Sequence, residues 1–455
     1  MDFNRAAFIL DTEAAFYSVN KNNPELSGGF SSICIDSRQV KAGALFIALA
    51  GEKTDGHRFV EAAFKAGAAG ALVELKKIDE YALAPASKIL LPCENTLYAL
   101  QKLAAAHLDE LPRLLRIGIT GSSGKTTTKE IALSIFCREK QVIANKGNLN
   151  SETGLPLSVF EAGPEHEAGI FEAGMNRKNE IAELARVLRP QIALITNIGS
   201  AHIGKIGSLE AVANEKKAIF SAFTGNETAL IDKGDGFSSF LAEGVNGKVL
   251  FYGDGTKIAA AHLKAEPLGL LGWNIEWQGK KLRFPLPGVH NLKNALAAAA
   301  LAQTAEISDT AIIEGLADVK PLFGRAEIIS NDGITVVRDC YNANPESAAA
   351  AITLCDELDW CGKRIYVLGD MLELGGESES AHKKLGEHLA RSKADFIFLF
   401  GNESAAALNP INAVCRNVLH TNNIDTLRSA LKKQTETGTL VLLKGSRGCA
   451  LERAM

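Results

Sequence analysis

Short apolar runs separated by Gly, Asp and Lys mark the first part of the chain, and 31–35, 45–49, 68–73 and 88–91 read as strands bounded by turn formers. A helical stretch over 96–108 follows. Pro112 closes it, because the residue before a proline is pushed out of the helical region. From 114 the pattern changes. Continuous apolar segments at 114–120, 169–173, 192–197, 229–232 and 248–252 alternate with helical patterns at 127–138, 179–188 and 209–223. Strands without in/out alternation belong to a sheet covered on both faces, and helices between them make that sheet mostly parallel, with ligands at the carboxyl ends. After Pro321 the alternation restarts with 334–339, 364–368, 396–400 and 439–443. The expected fold is therefore α/β in three domains: a small α/β unit over 1–111, a central mostly parallel sheet over 112–320, and a Rossmann-like domain over 321–455.

Composition narrows the function. The 455 residues are 46% hydrophobic, enough apolar material for several cores. Lys plus Arg number 49 against 53 Asp plus Glu, a net charge of −4, without the basic excess that a nucleic-acid partner needs. The cysteines at 34, 93, 137, 340, 355, 361, 415 and 449 form no C-x-x-C pair and no Cys/His cluster at zinc spacing, so they read as reduced thiols. Asp2, Asp11 and Glu13 flank or interrupt the apolar N-terminal stretch, which cannot serve as a signal peptide. No run reaches the ~18 apolar residues of a membrane helix. A cytoplasmic protein without membrane insertion is expected.

The chemistry is concentrated after the strand 114–120. There Gly121-Ser122-Ser123-Gly124-Lys125-Thr126-Thr127-Thr128 leads into a helix, the strand, glycine loop and helix order that cradles phosphate. Glycines let several N–H groups converge on one anion. Lys125 would bridge the β- and γ-phosphates, and Thr126 would place its hydroxyl on Mg²⁺. The strict pattern has an earlier glycine where this chain has Ile119, so the loop is a shortened variant. A nucleotide-binding function follows from this segment alone.

The loop T-G-S-S-G-K-T-T resembles that of the Mur ligases, the ATP-dependent amide-forming enzymes of peptidoglycan synthesis. Further segments match in the same order: Asp36-Ser37-Arg38, Asp55-Gly56-His57, Gly147-Asn148-Leu149-Asn150, Phe171-Glu172-Ala173-Gly174, Thr196-Asn197-Ile198-Gly199 with His202, and Gly288-Val289-His290-Asn291 with Asn294. In the last domain Asp339-Cys340-Tyr341-Asn342-Ala343-Asn344-Pro345, Gly369-Asp370-Met371-Leu372-Glu373-Leu374-Gly375 and Lys444-Gly445-Ser446-Arg447 resemble the branch that adds D-alanyl-D-alanine to the UDP-N-acetylmuramoyl-tripeptide. Departures are local: Cys340 for Ser, Ala42 for Pro, Asn179 for a Gly before Glu-Ile, and Ala218 for Glu.

The resemblance implies ATP, two Mg²⁺ ions, a monomer and a carboxylate activated as an acyl phosphate. It assigns Glu172 and Thr126 to one Mg²⁺, and His202 with Lys216, carried as a carbamate formed with CO₂, to the other. Val212, Lys216 and Ile219 share a helix face, whereas Lys217 is rotated ~100° away. Asn294 would meet adenine, Arg325 the γ-phosphate and Asp339 the ribose. Ser37 and Arg38 would hold the uridine diphosphate, and Asn148, Asn150 and Thr153 the sugar-peptide path. Asn344, Asp370 and Arg447 would serve the incoming dipeptide. A sister ligase that adds the third amino acid commonly carries Asp-Asn-Pro-Arg in its last domain, a tetrapeptide missing here. Folylpolyglutamate synthase lacks a first domain of the 36–57 kind. A GTPase-like switch would carry Asn-Lys-x-Asp, which this sequence does not supply.

Overall fold

Four strands with wholly or largely apolar faces begin the architecture: β1 (Ile33–Cys34), β2 (Leu45–Ile47), β3 (Gly70–Glu74) and β4 (Ile89–Cys93), parallel and side by side in chain order. Every residue of β2 and β3 is buried, as a sheet covered on both faces requires. Leu45, Leu72 and Leu91 pack against the helices Phe3–Leu10 and Thr96–Asp109, while Phe46, Val73 and Leu90 pack against Val60–Lys65. The structure is a computed structural model that describes all residues except 11–28, 52–53, 82–87, 257, 260–262 and 415. Asp11, Glu13 and Cys415, used in the sequence reading, lie outside the described residues.

The middle domain is built on β5 (Leu115–Thr120), β6 (Val142–Ala144), β7 (Ala168–Glu172), β8 (Ile192–Ile195), β9 (Thr228–Asp232) and β10 (Lys248–Tyr252). All six are parallel, in the order β10-β9-β8-β5-β7-β6. The chain goes from β5 out to β6, back to β7, and then across to β8. The strand order thus reverses around β5, which opens a crevice above the carboxyl ends of β5, β7 and β8. An antiparallel insert, β11 (Leu263–Pro267), β12 (Trp273–Trp277) and β13 (Lys280–Phe284), was not expected from the sequence. Trp273, Ile275 and Trp277 alternate inward on β12 and join the core beneath the helix Val289–Thr304.

The last domain holds β14 (Glu327–Asn331), β15 (Ile334–Asp339), β16 (Arg364–Gly369), β17 (Phe396–Phe400), β18 (Val418–Thr421) and β19 (Leu440–Lys444) in the order β14-β15-β19-β16-β17-β18. It is parallel except for the β14–β15 hairpin. The edge strands β14 and β18, like β6, escaped the sequence reading. They are short and only partly buried, and none carries an apolar run longer than three residues.

The last domain is seated on the middle one. Ser200 N and Oγ both donate to the Glu346 carboxylate, at 3.0 and 2.9 Å, and Asn344 Nδ2 donates to Ser123 Oγ at 2.9 Å. The carboxyl ends of the two sheets therefore border one cavity of about 560 Å³.

Helix Lys125–Phe136, which carries the phosphate-loop lysine, packs against helix Asp309–Asp318 at Gly315. Ser134 Oγ donates to Gly315 O at 2.8 Å, and a Cβ at 315 would lie 2.7 Å from Ile135 N. Overpacking of this kind costs ~1–3 kcal/mol, whereas Gly→Ala in an uncrowded helix gains up to ~1 kcal/mol. Gly315→Ala is expected to lower the thermal midpoint by roughly 2–8 °C in calorimetry; an equal or higher midpoint would mean that the two helices separate without cost.

Candidate active site

Gly121 and Gly124 adopt φ of +149° and +79°. A Cβ on the first would run into Thr196 and one on the second into the Asn294 amide, so only glycine lets the loop fold this tightly. Gly124 caps the helix Lys125–Phe136 without a side-chain bond. The positive helix end and its first N–H groups are thereby left to an anion. The segment after β8 straps the loop down. Ser122 N donates to Asn197 O at 2.9 Å, Ser123 N to Asn197 Oδ1 at 3.0 Å, and Asn197 Nδ2 to Ser123 O at 3.1 Å. Lys125 Nζ bends back to donate to Gly121 O at 2.9 Å. Burial lowers its pKa; Glu172 opposes the drop and Arg325 adds to it.

Glu172 ends β7 and is buried. Its carboxylate accepts from Thr126 Oγ1 at 2.7 Å and Asn150 Nδ2 at 2.6 Å. Its backbone is fixed by Asn145, whose side chain accepts from Glu172 N and donates to Glu172 O, both at 2.9 Å. From the last domain, Arg325 Nη2 donates to Thr126 Oγ1 at 2.9 Å while its guanidinium lies 4.4 Å from the centre of the Tyr341 ring. A chain of bonds, Arg325 to Thr126 to Glu172 with Asn150 alongside, thus joins the two domains at the mouth of the phosphate loop.

Lys216, on the helix Leu209–Lys217, is only 1% exposed, and its nearest polar contact is Met175 Sδ at 4.0 Å. The adjacent Glu215 is spent elsewhere, accepting from Asn179 N at 2.7 Å and Ile181 N at 2.9 Å. Burial first, and the charge of Lys125 second, push the Lys216 amine well below the ordinary lysine range. Lys216 is therefore not a solvated helix charge. Its neighbour Lys217 lies outward, donating to Phe240 O at 2.7 Å. Asn179 has φ +66°, the conformation for which Gly is the usual solution and Asn a tolerated one. His202 also has positive φ, +65°, and borders the cavity.

The cavity gathers most of the expected residues: Ser122, Ser123, Gly124, Lys125, Thr126, Thr127, Asn148, Asn150, Glu172, His202, Asn294, Arg325, Asp339 and Asn344. Asn294 packs under the loop, accepting from Thr128 Oγ1 at 3.4 Å. Asp339 is paired with Lys444 at 3.0 Å and accepts from Ala326 N at 3.2 Å. Ser37, Arg38, Gly121, Thr153, Lys216, Asp370 and Arg447 do not line it; Lys216 sits behind the lining residue Met175. Arg38 grips Asp36 in a fork, at 2.9 and 2.6 Å, on the first domain's surface. The Asp370 carboxylate accepts from Asn402 N at 3.1 Å and Ser404 N at 2.8 Å, so it holds that turn and is not free for a dipeptide. Arg447 is exposed and pairs with Glu452. The sequence reading gave no role to Asn145, Asn197, Tyr341 or Lys444. Asn197 stood in a quoted motif at a strand end, whereas Asn145 follows β6, which the pattern did not reveal. Among the described residues no group of three or more His, Cys, Asp and Glu could hold a metal ion by itself, so any ion here needs hydroxyl, amide or ligand oxygens too.

Comparison with known proteins gives a consistent picture. "Mur ligase family, catalytic domain" matches residues 30–108, "Mur ligase middle domain" matches 119–302, and "Mur ligase, glutamate ligase domain" matches 324–447. A UDP-N-acetylmuramoyl-tripeptide–D-alanyl-D-alanine ligase of Treponema pallidum is 43% identical over 93% of both chains. Its namesake in Bacillus subtilis is 36% identical over 92% of this chain and 91% of that one. The crystal structure of MurF from Acinetobacter baumannii superposes with a TM-score of 0.89 at 28% identity, covering 100% of this chain and 97% of the other. That of MurF ligase from Thermotoga maritima in complex with ADP gives 0.79 at 27% identity, covering 93% and 96%.

Asn197 makes two side-chain bonds to one loop residue, and a lost buried bond that leaves its partner unpaired costs ~1–3 kcal/mol. Asn197→Ala is therefore expected to weaken equilibrium binding of ATP by ~10-fold or more; unchanged affinity would show that the loop keeps its shape without the strap.

Proposed function

The chain belongs to the Mur ligase family, and on that premise we propose that it joins D-alanyl-D-alanine to UDP-N-acetylmuramoyl-tripeptide, as an ATP-dependent, ADP-forming amide ligase of peptidoglycan precursor synthesis. The observation that carries the reading is the cavity in which the phosphate loop and Glu172 of the middle domain meet Arg325 of the last, with Lys216 buried behind the lining residue Met175. A carboxylate oxygen of the tripeptide attacks the γ-phosphorus and ADP leaves. The dipeptide amine then attacks the acyl carbon, loses a proton, and phosphate departs with that carboxylate oxygen. Every partner in the first step is anionic, so neutralising charge is the main task. Lys125 exchanges Gly121 O for phosphate oxygens, and Arg325 adds its charge from across the domain cleft.

The donor set fits two Mg²⁺ ions, one at Thr126 and Glu172 and one at His202 and Lys216. Bound there, they would neutralise phosphate oxygens and the acyl phosphate. Lys216 fits carbamylation because it is buried, without a carboxylate partner, and disfavours its ammonium form, so its free amine can take up CO₂ with loss of a proton. The carbamate would supply hard oxygens where the bare lysine has none. Asn294 meets the adenine edge, Asp339 the ribose, and Ser37 and Arg38 the uridine diphosphate. Asn148, Asn150 and Thr153 line the sugar-peptide path. Asn344 and Arg447 meet the incoming dipeptide from the last domain. Domains 1–111, 112–320 and 321–455 divide these tasks. We read the protein as a cytoplasmic monomer; no helix among the described residues is long and apolar enough to cross a membrane.

Phosphate release is expected only when ATP, the tripeptide nucleotide and the dipeptide are all present, and release indifferent to the dipeptide would contradict the assignment. Lys125→Ala should lower turnover by ~10²-fold or more. Lys216→Ala should lose most activity and regain part of it with added formate or acetate, while Lys217→Ala stays near normal. A fully active Lys216→Ala enzyme would remove the carbamate from the mechanism.

A further inference from the structure

The loop after β16 carries more fixing contacts than a connecting turn needs. Met371 N donates to Nε2 of the fully buried His382 at 3.0 Å, and the other ring nitrogen lies 2.8 Å from Ser378 O. Leu372 N donates to Ser446 Oγ at 2.9 Å. The next residue, Glu373, has φ +68°, a left-handed conformation that costs a non-glycine residue energy and persists where its surroundings enforce it. Here the surroundings belong to the middle domain. Gly204 N donates to Glu373 O at 3.2 Å, and a Cβ on Gly375 would lie 2.7 Å from Gly204 Cα, so the two backbones touch at a pair of glycines. Ile203 beside them packs into the last domain's core.

From this anchored loop the Glu373 carboxylate reaches back toward the cavity. One oxygen accepts from Lys205 Nζ at 2.9 Å, and the other stands 2.7 Å from His202 Nδ1. That Nδ1 is buried and has no well-aligned hydrogen bond; the contact with Glu373 is close but bent. Contacts of this kind tighten when a site fills.

We propose that Glu373 is a positioning residue for His202: its carboxylate keeps the imidazole proton on Nδ1 and leaves the Nε2 lone pair for a cation in the cavity. The proposal rests on the ligase reading for what His202 binds. Metal-ligating histidines commonly have their second nitrogen held this way, and loss of the partner costs 10–100-fold in metal affinity or activity. Here the partner comes from the other domain, so His202 is oriented only when the last domain is seated. One loop thereby makes readiness of the second cation site conditional on docking.

The test uses the full chain with ¹⁵N-labelled histidine, free of nucleotide and metal, at a pH where the imidazoles are neutral. His202 is assigned by comparison with His202→Gln. Wild type is expected to carry the Nδ1–H tautomer at His202, and Glu373→Ala to shift it toward Nε2–H, the form a free imidazole prefers. In the ligase assay Glu373→Ala should raise the Mg²⁺ concentration for half-maximal turnover by ~10-fold or more. Lys205→Met, which removes the other half of the ion contact, should change neither reading, and Glu373→Gln, which keeps an acceptor oxygen, should fall between. If Glu373→Ala does not fold, Glu373→Asp, with its carboxylate one methylene short, serves in its place with the same expected readings. An unchanged His202 tautomer, or a Lys205→Met enzyme impaired as much as Glu373→Ala, would overturn the proposal and leave Glu373 as a docking contact. Wild-type protein without ligase turnover would count against the ligase reading, while the tautomer comparison would still decide the positioning role.

Discussion

Two basic side chains held out of water with too little counter-charge, Lys125 and Lys216, are the constraint around which this molecule is arranged. Lys125 lines the cavity half-buried and Lys216 is fully buried behind Met175, and desolvation pushes each toward its neutral form, with Glu172 opposing it at Lys125. An unpaired buried charge is costly unless it is neutralised or meets an anion. The carboxylate at the loop mouth, Glu172, is engaged with Thr126 and Asn150. The proposed ligands relieve this: phosphates bring negative charge to Lys125, and CO₂ converts the neutral Lys216 amine into a carbamate with loss of a proton.

The rest of the fold serves to hold that deficit in place. Strand order reverses around β5, which brings the ends of β5, β7 and β8 to one crevice. Asn145 fixes the backbone of Glu172 and Asn197 fixes the loop, each with an amide that gives and takes in the same bond pair. The last domain then adds Arg325 on Thr126 and Asn344 on Ser123, so its own sheet edge becomes a wall of the same cavity. A chemistry that needs ATP, a nucleotide-linked carboxylate and an amine together is well matched by a site whose walls come from separate domains.

Much of this was legible in the sequence because the relevant residues carry strong local signals. The loop 121–128 announces itself by its glycines between a strand and a helix, and Glu172 by its place at the end of an apolar strand. The resemblance pointed to Lys216 and helical phase set Lys217 aside, and the structure buries Lys216 fully while Lys217 is half-buried with its amine turned to Phe240 O. What escaped lacks such signals. Strands β6, β14 and β18 are short and half-exposed, so their apolar periodicity is weak. The insert β11–β13 had inward alternation at Trp273, Ile275 and Trp277 but broke the expected strand–helix rhythm. Asp370 ended a strand as a ligand would, yet tertiary contacts gave its carboxylate to the backbone at Asn402 and Ser404. Glu373 shows the same limit from the other side, because its partners His202 and Lys205 are remote in sequence and meet it only through domain docking.

The central claim, that this cavity activates a carboxylate by phosphoryl transfer before an amine displaces the phosphate, has a direct isotopic signature. The tripeptide nucleotide is prepared with ¹⁸O in its terminal carboxylate, turned over with ATP and D-alanyl-D-alanine, and the released phosphate is analysed by mass spectrometry. The account predicts one ¹⁸O atom transferred into phosphate for each amide bond formed; phosphate carrying no label while the amide product accumulates would contradict it.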